Sequence, residues 1–545
     1  NPGFGFHVSA EGAAYTWSGN SRENKLTPWS NDPVSNESGE AVYLTDLESG
    51  EIWSPAAAPI RKETATYLAR HGMGYSSFET TIADIFTQST QFVPLDDTVK
   101  VTRLRIVNQS MVTRRLSVTS YNDWVLGATG NSPAGLIITA MDSATGAMLA
   151  RNAWTNKAGN GIAFVHLGAR FVNGTGDRRE FIGRNGTYQN PAALTQGRTL
   201  SGATGAGLDP CAALQTTLVL KPQQEIELIF LLGTAADSDA VQTMIRKYTA
   251  QYAATALQEI KDYWNGVLGQ IHVKTPDRAT DIMLNGWLLY QTIACRMWAR
   301  SAFYQTSGAY GFRDQLQDVM TVVHCRPQWT RQHILRAAGR QFTAGDVQHW
   351  WLPSAADAGQ GVRTRFADDA LWLPYVTAHY VSVTGDAAIL DEAVPFLDGR
   401  ALDDSEHEAF YLPAASSETA TLLEHCARAI DRSLTSGAHG LSLFGGGDWN
   451  DGMNRVGQLG QGESVWLSWF LIAAIKQFKP FAGKLTPERT AAWLNHSSRL
   501  AEAIEQNAWD GEWYRRGYYD DFAPLGSAAS GECRIDAIAQ SWAVI

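Results

Sequence analysis

The sequence predicts a multidomain β + α chain: an N-terminal β-sandwich, a helical linker and a toroid of paired α-helices. Two observations carry that reading. Residues 1 to about 240 consist of short alternating runs separated by Gly, Asn, Asp and Ser turns, and beyond Thr275 apolar residues recur at helical spacing instead. With 545 residues, 44% of them hydrophobic and 18% charged, the chain can build two or three domains with full cores.

The elements follow in order. Val101 to Val107, Arg115 to Tyr121 and Gln224 to Leu232 alternate apolar and polar side chains, as strands with one buried face do. Many short strands at this spacing suggest a sandwich. At Asp237-Ser238-Asp239 a cluster of N-capping residues opens a helical pattern that runs from Val241 to Trp264 without proline, and Asn265-Gly266 offers a stop. The expected domains are therefore 1–240 for the sandwich, 241–275 for the linker and 276–545 for the helical domain. Within the last, amphipathic helices are expected near 279–300, 329–345, 366–384, 417–435, 463–479 and 486–508. Their loops are rich in Gly, Asp, Trp and Arg, which suggests a site at the mouth of the toroid.

Composition excludes several function classes. A net charge of -11 with no Lys/Arg-rich block argues against nucleic acid or an anionic membrane surface as partner. The five cysteines, Cys211, Cys295, Cys325, Cys426 and Cys533, lie far apart without metal-ligand spacing. They read as buried free thiols in a reducing compartment, with no metal expected. No run of about 18 apolar residues would span a bilayer. The chain starts without methionine and stops in an apolar run, so it reads as a piece of a longer protein that could carry membrane segments elsewhere.

The most informative stretch is Gly445 to Asn454, where Asp448, Trp449, Asn450 and Asp451 sit in a glycine-rich loop. Glycines let the main chain and the Asp451 carboxyl approach a ligand, and a carboxyl beside an indole is expected to have a raised pKa, as a general acid needs. Arg313-Asp314 follows a glycine-rich approach at the expected start of a helix. There Asp314 can cap the helix while Arg313 presents a planar donor fork. His349-Trp350-Trp351 and the run from Gly361 to Trp372, with Arg363, Asp368 and Asp369, complete the set. Taken singly, each cluster is as well explained by a helix cap or an ion pair. Their recurrence near the starts of successive helices favours a pocket. Nineteen Trp and eighteen Tyr suit sugar faces; most read as core, but Trp449 and the His349-Trp350-Trp351 cluster do not.

Gly311-Phe312-Arg313-Asp314, His349-Trp350-Trp351, Arg363 to Asp369 and Gly447 to Asn454 together resemble glycoside hydrolase family 94, the inverting glycoside phosphorylases. The opening run from Tyr15 to Trp29 looks most like the phosphorylase-like region of cyclic β-1,2-glucan synthases, and the Gly452-Met453 pair is similar to the β-1,2-glucan branch, which includes 1,2-β-oligoglucan phosphorylase. The resemblance spans the whole chain. It implies a β-sandwich, a helical linker and an (α/α)6 barrel that is incomplete at its C-terminal end. It implies that Asp451 is the general acid, that Trp449 helps form the sugar platform, and that Arg313 and Asp314 hold the non-reducing-end glucose in the -1 subsite. By the same motifs, Asp448, Asn450, His349, Trp350, Arg363, Asp368 and Asp369 belong to the substrate-binding set.

The resemblance implies inorganic phosphate as co-substrate without any cofactor, β-glucan as partner, a possible homodimer and a cytoplasmic location, at the inner-membrane face if part of a larger membrane protein. The phosphate-binding His and Thr-Gly pair of relatives lie downstream of Gln540 to Val544, so no residue here matches them; Arg296 and Arg300 are candidates for part of an anion site. A phosphorylase needs one acid, because phosphate is already an anionic nucleophile. An inverting hydrolase needs a second carboxylate as base, for which Asp368, Asp369 and Asp448 are candidates. Phosphorolysis of linear β-1,2-glucan releasing α-glucose 1-phosphate, as a chain-length control within a cyclic glucan synthase, is the favoured reading. Hydrolysis and non-catalytic glucan binding are the alternatives. The loop carrying Trp17, Arg22, Glu23 and Trp29 is expected to join the glucan-binding side, or else to be a plain surface loop.

Overall fold

A computed structural model describes the chain except Asn31, Pro33, 129–133, 154–160, 170–172, 303, 304, 354–358 and Asp404. It divides into two compact units, Asn1–Gly308 and Ala309–Ile545.

The first unit is a sandwich of two antiparallel sheets. The larger has eight strands; its centre pairs Ile162–His166, Glu225–Ala235, Val99–Asn108 and Ile85–Phe92 in that order. The smaller has five and is built around Pro210–Leu220, Arg114–Asp123 and Glu40–Asp46. The alternation read from the sequence places Leu104, Ile106, Leu116, Val118 and Phe230 in one core between the sheets. A second core covers the other face of the five-stranded sheet, where Tyr43 and Tyr121 pack on Phe181.

Asp237 caps the helix Ser238–Lys247 by accepting from the Ala240 amide at 2.8 Å. The single helix expected over 241–264 is in fact two. Tyr248 leaves helical geometry, its hydroxyl donates to Asp97, and Thr249 caps a new helix, Ala250–Leu268. After it, residues Arg278–Ala299 form a continuous but irregular helical stretch with two wide turns, Met283–Trp287 and Thr292–Ala299, and a kink at Gly286. Arg300 ends that stretch. Its guanidinium donates to the carbonyls of Met297, Trp298 and Gly308, so it closes a helix end and is not available to an anion in the way the sequence suggested.

The opening loop also differs from expectation. Trp17 belongs to a strand, Ala14–Ser18, and is 6% exposed. Its indole lies across Gly5 on the paired strand, where a Cβ would come within 2.5 Å of the ring. Arg22 pairs with Glu23 at 3.4 Å and Asn20 holds the turn by accepting from both their amides. Three cysteines are buried, Cys295 is half-buried and Cys533 is exposed, so not all are the interior thiols expected.

In the second unit the main helices are Phe312–Val322, Pro327–Ala338, Trp372–Thr384, Leu422–Arg432, Val465–Phe478 and Pro487–Ala503. Two begin later than the sequence suggested. A 3-10 turn at Asp369–Leu371 precedes Trp372, and the strand Ala414–Thr421 takes up the residues before Leu422. A small sheet joins Tyr310–Gly311, Gln348–Trp351, Gly361–Thr364 and Glu408–Tyr411. Trp351 is fully buried, so one member of the His349 cluster is core after all. No helix among the described residues is long and apolar enough to cross a membrane.

Candidate active site

The small sheet and the helix behind it set the site. Gly311 is the N-cap of Phe312–Val322 and has no side chain to cap with, and Asp314 lies exposed in the first turn. Its carboxylate folds back over Gly311, where a Cβ would sit 2.1 Å from Oδ2. Arg313, one residue before, is buried and points the other way.

Arg313 is the centre of a charge cluster. Nη1 donates to Asp368 Oδ1 at 3.0 Å and to the Asp448 carbonyl at 2.9 Å, while Nη2 donates to Asp451. Asp369 lies 3.9 Å from Nη1 and accepts from His349 Nδ1 at 2.8 Å. His349 Nε2 in turn stands 3.7 Å from Asp451 Oδ2. The sheet brings His349 here from Gln348–Trp351, and its ring stacks on Phe366 at 4.5 Å. The Arg313 guanidinium lies 5.9 Å from the same phenyl ring.

These contacts decide the protonation states. Burial pulls the His349 pKa down, but the Asp369 charge and the hydrogen bonds to Asp369 and Asp451 outweigh it and push it up to about 10, so it is an imidazolium. Burial, aided by the Asp369 charge and opposed by Arg313, raises Asp368 to about 7. Asp451 goes the other way. Burial raises it, yet the His349 hydrogen bond and the Arg313 charge together hold it below its ordinary value. The raised pKa expected from the neighbouring indole is not found, because Trp449 turns its Nε1 to Gln317 at 3.3 Å and two cations face the carboxylate.

The glycines of the loop have a direct purpose. Its backbone lies against 365–367: Gly446 N donates to Arg365 O at 2.8 Å and Ala367 N donates to Gly447 O at 2.9 Å. A Cβ on Gly447 would fall 2.0 Å from the Phe366 ring, and one on Gly445 2.4 Å from Arg365 O. Past the glycines, Asn450 accepts from Gly452 N at 3.0 Å and shapes the turn Asp451–Met453. This leaves the Asp451 side chain 54% exposed and Trp449 46% exposed.

Asp448 and Arg363, expected among the substrate-binding residues, are occupied elsewhere. Asp448 is fully buried beneath the loop, accepting from Ser464 Oγ at 2.7 Å and from Arg516 Nη2 at 2.7 Å. Arg363 makes two hydrogen bonds to Asp346, at 2.6 and 2.8 Å, and donates to the Gly399 and Arg400 carbonyls. Trp350 is half-buried against Phe410 at 5.3 Å. The structure thus gathers Arg313, His349, Asp368, Asp369 and Asp451 about one guanidinium, with Trp449 and Asn450 on the same loop. Sequence reading missed Arg516, Phe366, Ser464 and Gln317. Arg516 lies 68 positions from its partner Asp448 with no motif around it, whereas Phe366 sits inside a run already singled out. Among the described residues no group of His, Cys, Asp and Glu could hold a metal ion.

Comparison with known proteins decides the family. Residues 1–251 match the model of the glycosyl hydrolase 94 supersandwich domain, and 263–545 that of the glycosyl hydrolase 94 superfamily catalytic domain. The chain belongs to glycoside hydrolase family 94. It is 46% identical over 547 residues to cyclic beta-(1,2)-glucan synthase NdvB of Rhizobium meliloti (strain 1021), covering 100% of this chain and 19% of that protein. It is 28% identical to 3-O-beta-D-glucopyranosyl-beta-D-glucuronide phosphorylase of Paenibacillus borealis, covering 92% of this chain and 63% of that one. The chain therefore spans less than two thirds of either relative. Among solved structures, a bacterial glucoamylase complexed with acarbose aligns with a TM-score of 0.53 at 8% identity, over 94% of this chain and 69% of that one. That likeness shows the fold, a β-sandwich followed by a helical domain of the (α/α)6-barrel type. Family 94 membership also places the motif-bearing loops in the catalytic domain.

Proposed function

We propose that this family 94 chain phosphorolyses linear β-1,2-glucan from its non-reducing end. A phosphate oxygen bonds to the anomeric carbon as the glycosidic C–O bond breaks, and Asp451 gives its proton to the leaving oxygen. The products are α-glucose 1-phosphate, with inverted configuration, and a glucan shorter by one residue. Asp451 is the acid, Arg313 and Asp314 hold the terminal glucose, and Trp449 supplies a stacking face. The β-1,2-glucan assignment draws on the likeness to the Rhizobium synthase, and such a module would trim chains inside a larger enzyme at the cytoplasmic face of the membrane.

One observation carries the choice of chemistry: of the three carboxylates within 4 Å of the Arg313 guanidinium, Asp451 alone is half exposed, and the exposed Asp314 is committed in this reading to the glucose hydroxyls. Asp368 is fully buried with its oxygens bonded to Arg313 and to Trp372 Nε1, and Asp369 is 2% exposed and bonded to His349. A base for hydrolysis has to reach a water at the anomeric carbon, with ~6.5–9.5 Å between the two carboxyls to hold it. Neither buried acid is placed to do so. Phosphate needs no such base.

The test is sugar release from β-1,2-glucan with and without inorganic phosphate, assayed on residues 1–545 and with any sequence that follows Ile545 in the native protein. Glucose 1-phosphate formed only with phosphate supports phosphorolysis. Free glucose formed at the same rate without phosphate supports hydrolysis, and binding without turnover in every form rejects an enzymatic role.

A further inference from the structure

The N-terminal unit holds a cavity of about 350 Å³ that the proposed reaction does not use. That size lies toward the lower end of the ~300–1,000 Å³ of small-molecule clefts. Its walls are the hairpin formed by Phe4–Val8 and Ala14–Ser18, the turn between Tyr67–Gly72 and Tyr75–Ile82, the helix Ala250–Leu268 and the irregular stretch Met283–Ala299.

Aromatic rings dominate the lining. Trp264 meets Tyr290 edge-on at 4.7 Å and Trp298 at 5.4 Å, and Trp287 lies 5.7 Å from Tyr290. Glycine permits the walls to close: a Cβ on Gly74 would stand 2.5 Å from Ile260 and 2.7 Å from Trp264 Nε1, so the turn and the helix touch only because none is there. The Gly74 amide donates to the Tyr290 hydroxyl at 3.0 Å and fixes that ring.

Between the rings stand polar groups, but no Asp, Glu, Lys or Arg. His7 and His71 line the cavity, and burial lowers both pKa values, so both imidazoles are neutral at pH 7. His71 Nδ1 shares a proton with Ser76 Oγ at 2.9 Å, and the Gln291 carboxamide accepts from Cys295 Sγ at 3.1 Å. No side chain of the lining supplies a countercharge to an anion such as phosphate. A purely apolar chain would set hydrocarbon against the polar part of the lining, His7, His71, Ser76 and Gln291. A pyranose answers both demands, with an apolar face for an indole and neutral hydroxyls for imidazole and amide.

We infer that this cavity is a second carbohydrate site, separate from the Asp451 cluster, that holds a neutral glucosyl segment of one or two residues. The identity of the sugar as a β-1,2-linked glucan rests on the function proposed above; the cavity's preference for a neutral saccharide does not. Such a site would keep a polymer on the enzyme between turnovers by raising its local concentration.

The probe is sophorose, the β-1,2-linked glucose disaccharide, titrated by calorimetry and tryptophan fluorescence into Arg313→Ala protein, in which the site of the second unit is disabled. One remaining site per chain is expected. Trp287→Ala, on a half-buried ring, should weaken it at least tenfold, and Ala294→Trp, which fills the cavity without deleting any wall, should abolish it. No sophorose binding to Arg313→Ala protein, or binding untouched by both substitutions, overturns the proposal. So does a cavity that takes laurate in an Ala294→Trp-sensitive way but no sugar. Because none of these readings requires turnover, a failure of phosphorolysis and a failure of this site remain distinguishable.

Discussion

Raising the pH should remove the stabilising charge that His349 places between Asp369 and Asp451. The imidazole rises from an ordinary 6.5 to about 10 in the folded chain, which at 1.36 kcal/mol per pKa unit is about 5 kcal/mol. Asp451 is half exposed and water screens its part of the attraction, so about 2–3 kcal/mol is expected in practice. A pKa raised by folding stabilises fully below the unfolded value, and that stabilisation is lost as pH climbs through the folded value. The window therefore runs from about pH 6 to about pH 10.5. The comparison is with His349→Asn, which keeps a donor near Nδ1 but cannot carry charge. Thermal melts of both proteins across the window should show the lead of the native chain shrinking. For a unit of this size, roughly 2–4 °C per kcal/mol makes that about 4–12 °C. Groups remote from the cluster titrate alike in both proteins and cancel, and above about pH 8, past the titration of Asp368, the difference reports the imidazolium. Two parallel curves would refute the reasoning and mean that His349 is neutral in the folded chain.

Three further outcomes are expected. Asp451→Asn, which keeps the shape but has no transferable proton, should lower glucan turnover by ~10²–10⁴-fold in steady-state assays without any weakening of sophorose affinity. Arg516→Met strands a fully buried Asp448, so chemical unfolding should show a loss of about 3–5 kcal/mol, and the double variant with Asp448→Asn should regain part of it. Gly447→Ala has to push the Phe366 ring aside, so the variant should fold with a lower melting temperature, and near-normal activity in it would mean that the loop tolerates a shift in the Phe366 platform.

Much of the architecture was legible because its elements are long. The ten-residue strands Val99–Asn108 and Arg114–Asp123 keep a period of two over their whole length, and Asp237 announces its helix by side-chain chemistry alone. The small sheet was not legible, since strands of two to four residues such as Tyr310–Gly311 and Gly361–Thr364 are too short to show any period. The break at Tyr248–Thr249 carries no proline or glycine to announce it, and the partner of its Tyr248 hydroxyl, Asp97, lies far away in the chain. At the site, the residues that surround Arg313 were visible as motifs, but which of them face inward was not. Asp448 and Asp451 are three positions apart on one loop and the sequence offers both as acids; only the buried Arg516 beneath the first separates their roles.

The divided fork of Arg313 keeps the Asp451 carboxylate a stored base. One prong holds Asp368 and the other holds Asp451, so while both are engaged the outer carboxyl has no reason to bind a proton. On the proposed mechanism it must carry one at the moment of cleavage. Sugar hydroxyls that draw both the second prong and the His349 imidazolium away from Asp451 would therefore load the acid in the same motion that seats the substrate, and each sugar bound would take up protons from solution. Affinity should then weaken as pH rises, by linkage alone and with no change in any contact to the sugar. On the proposed mechanism, such a site would be armed by its own substrate and would hold back from water and stray phosphate until the sugar was seated.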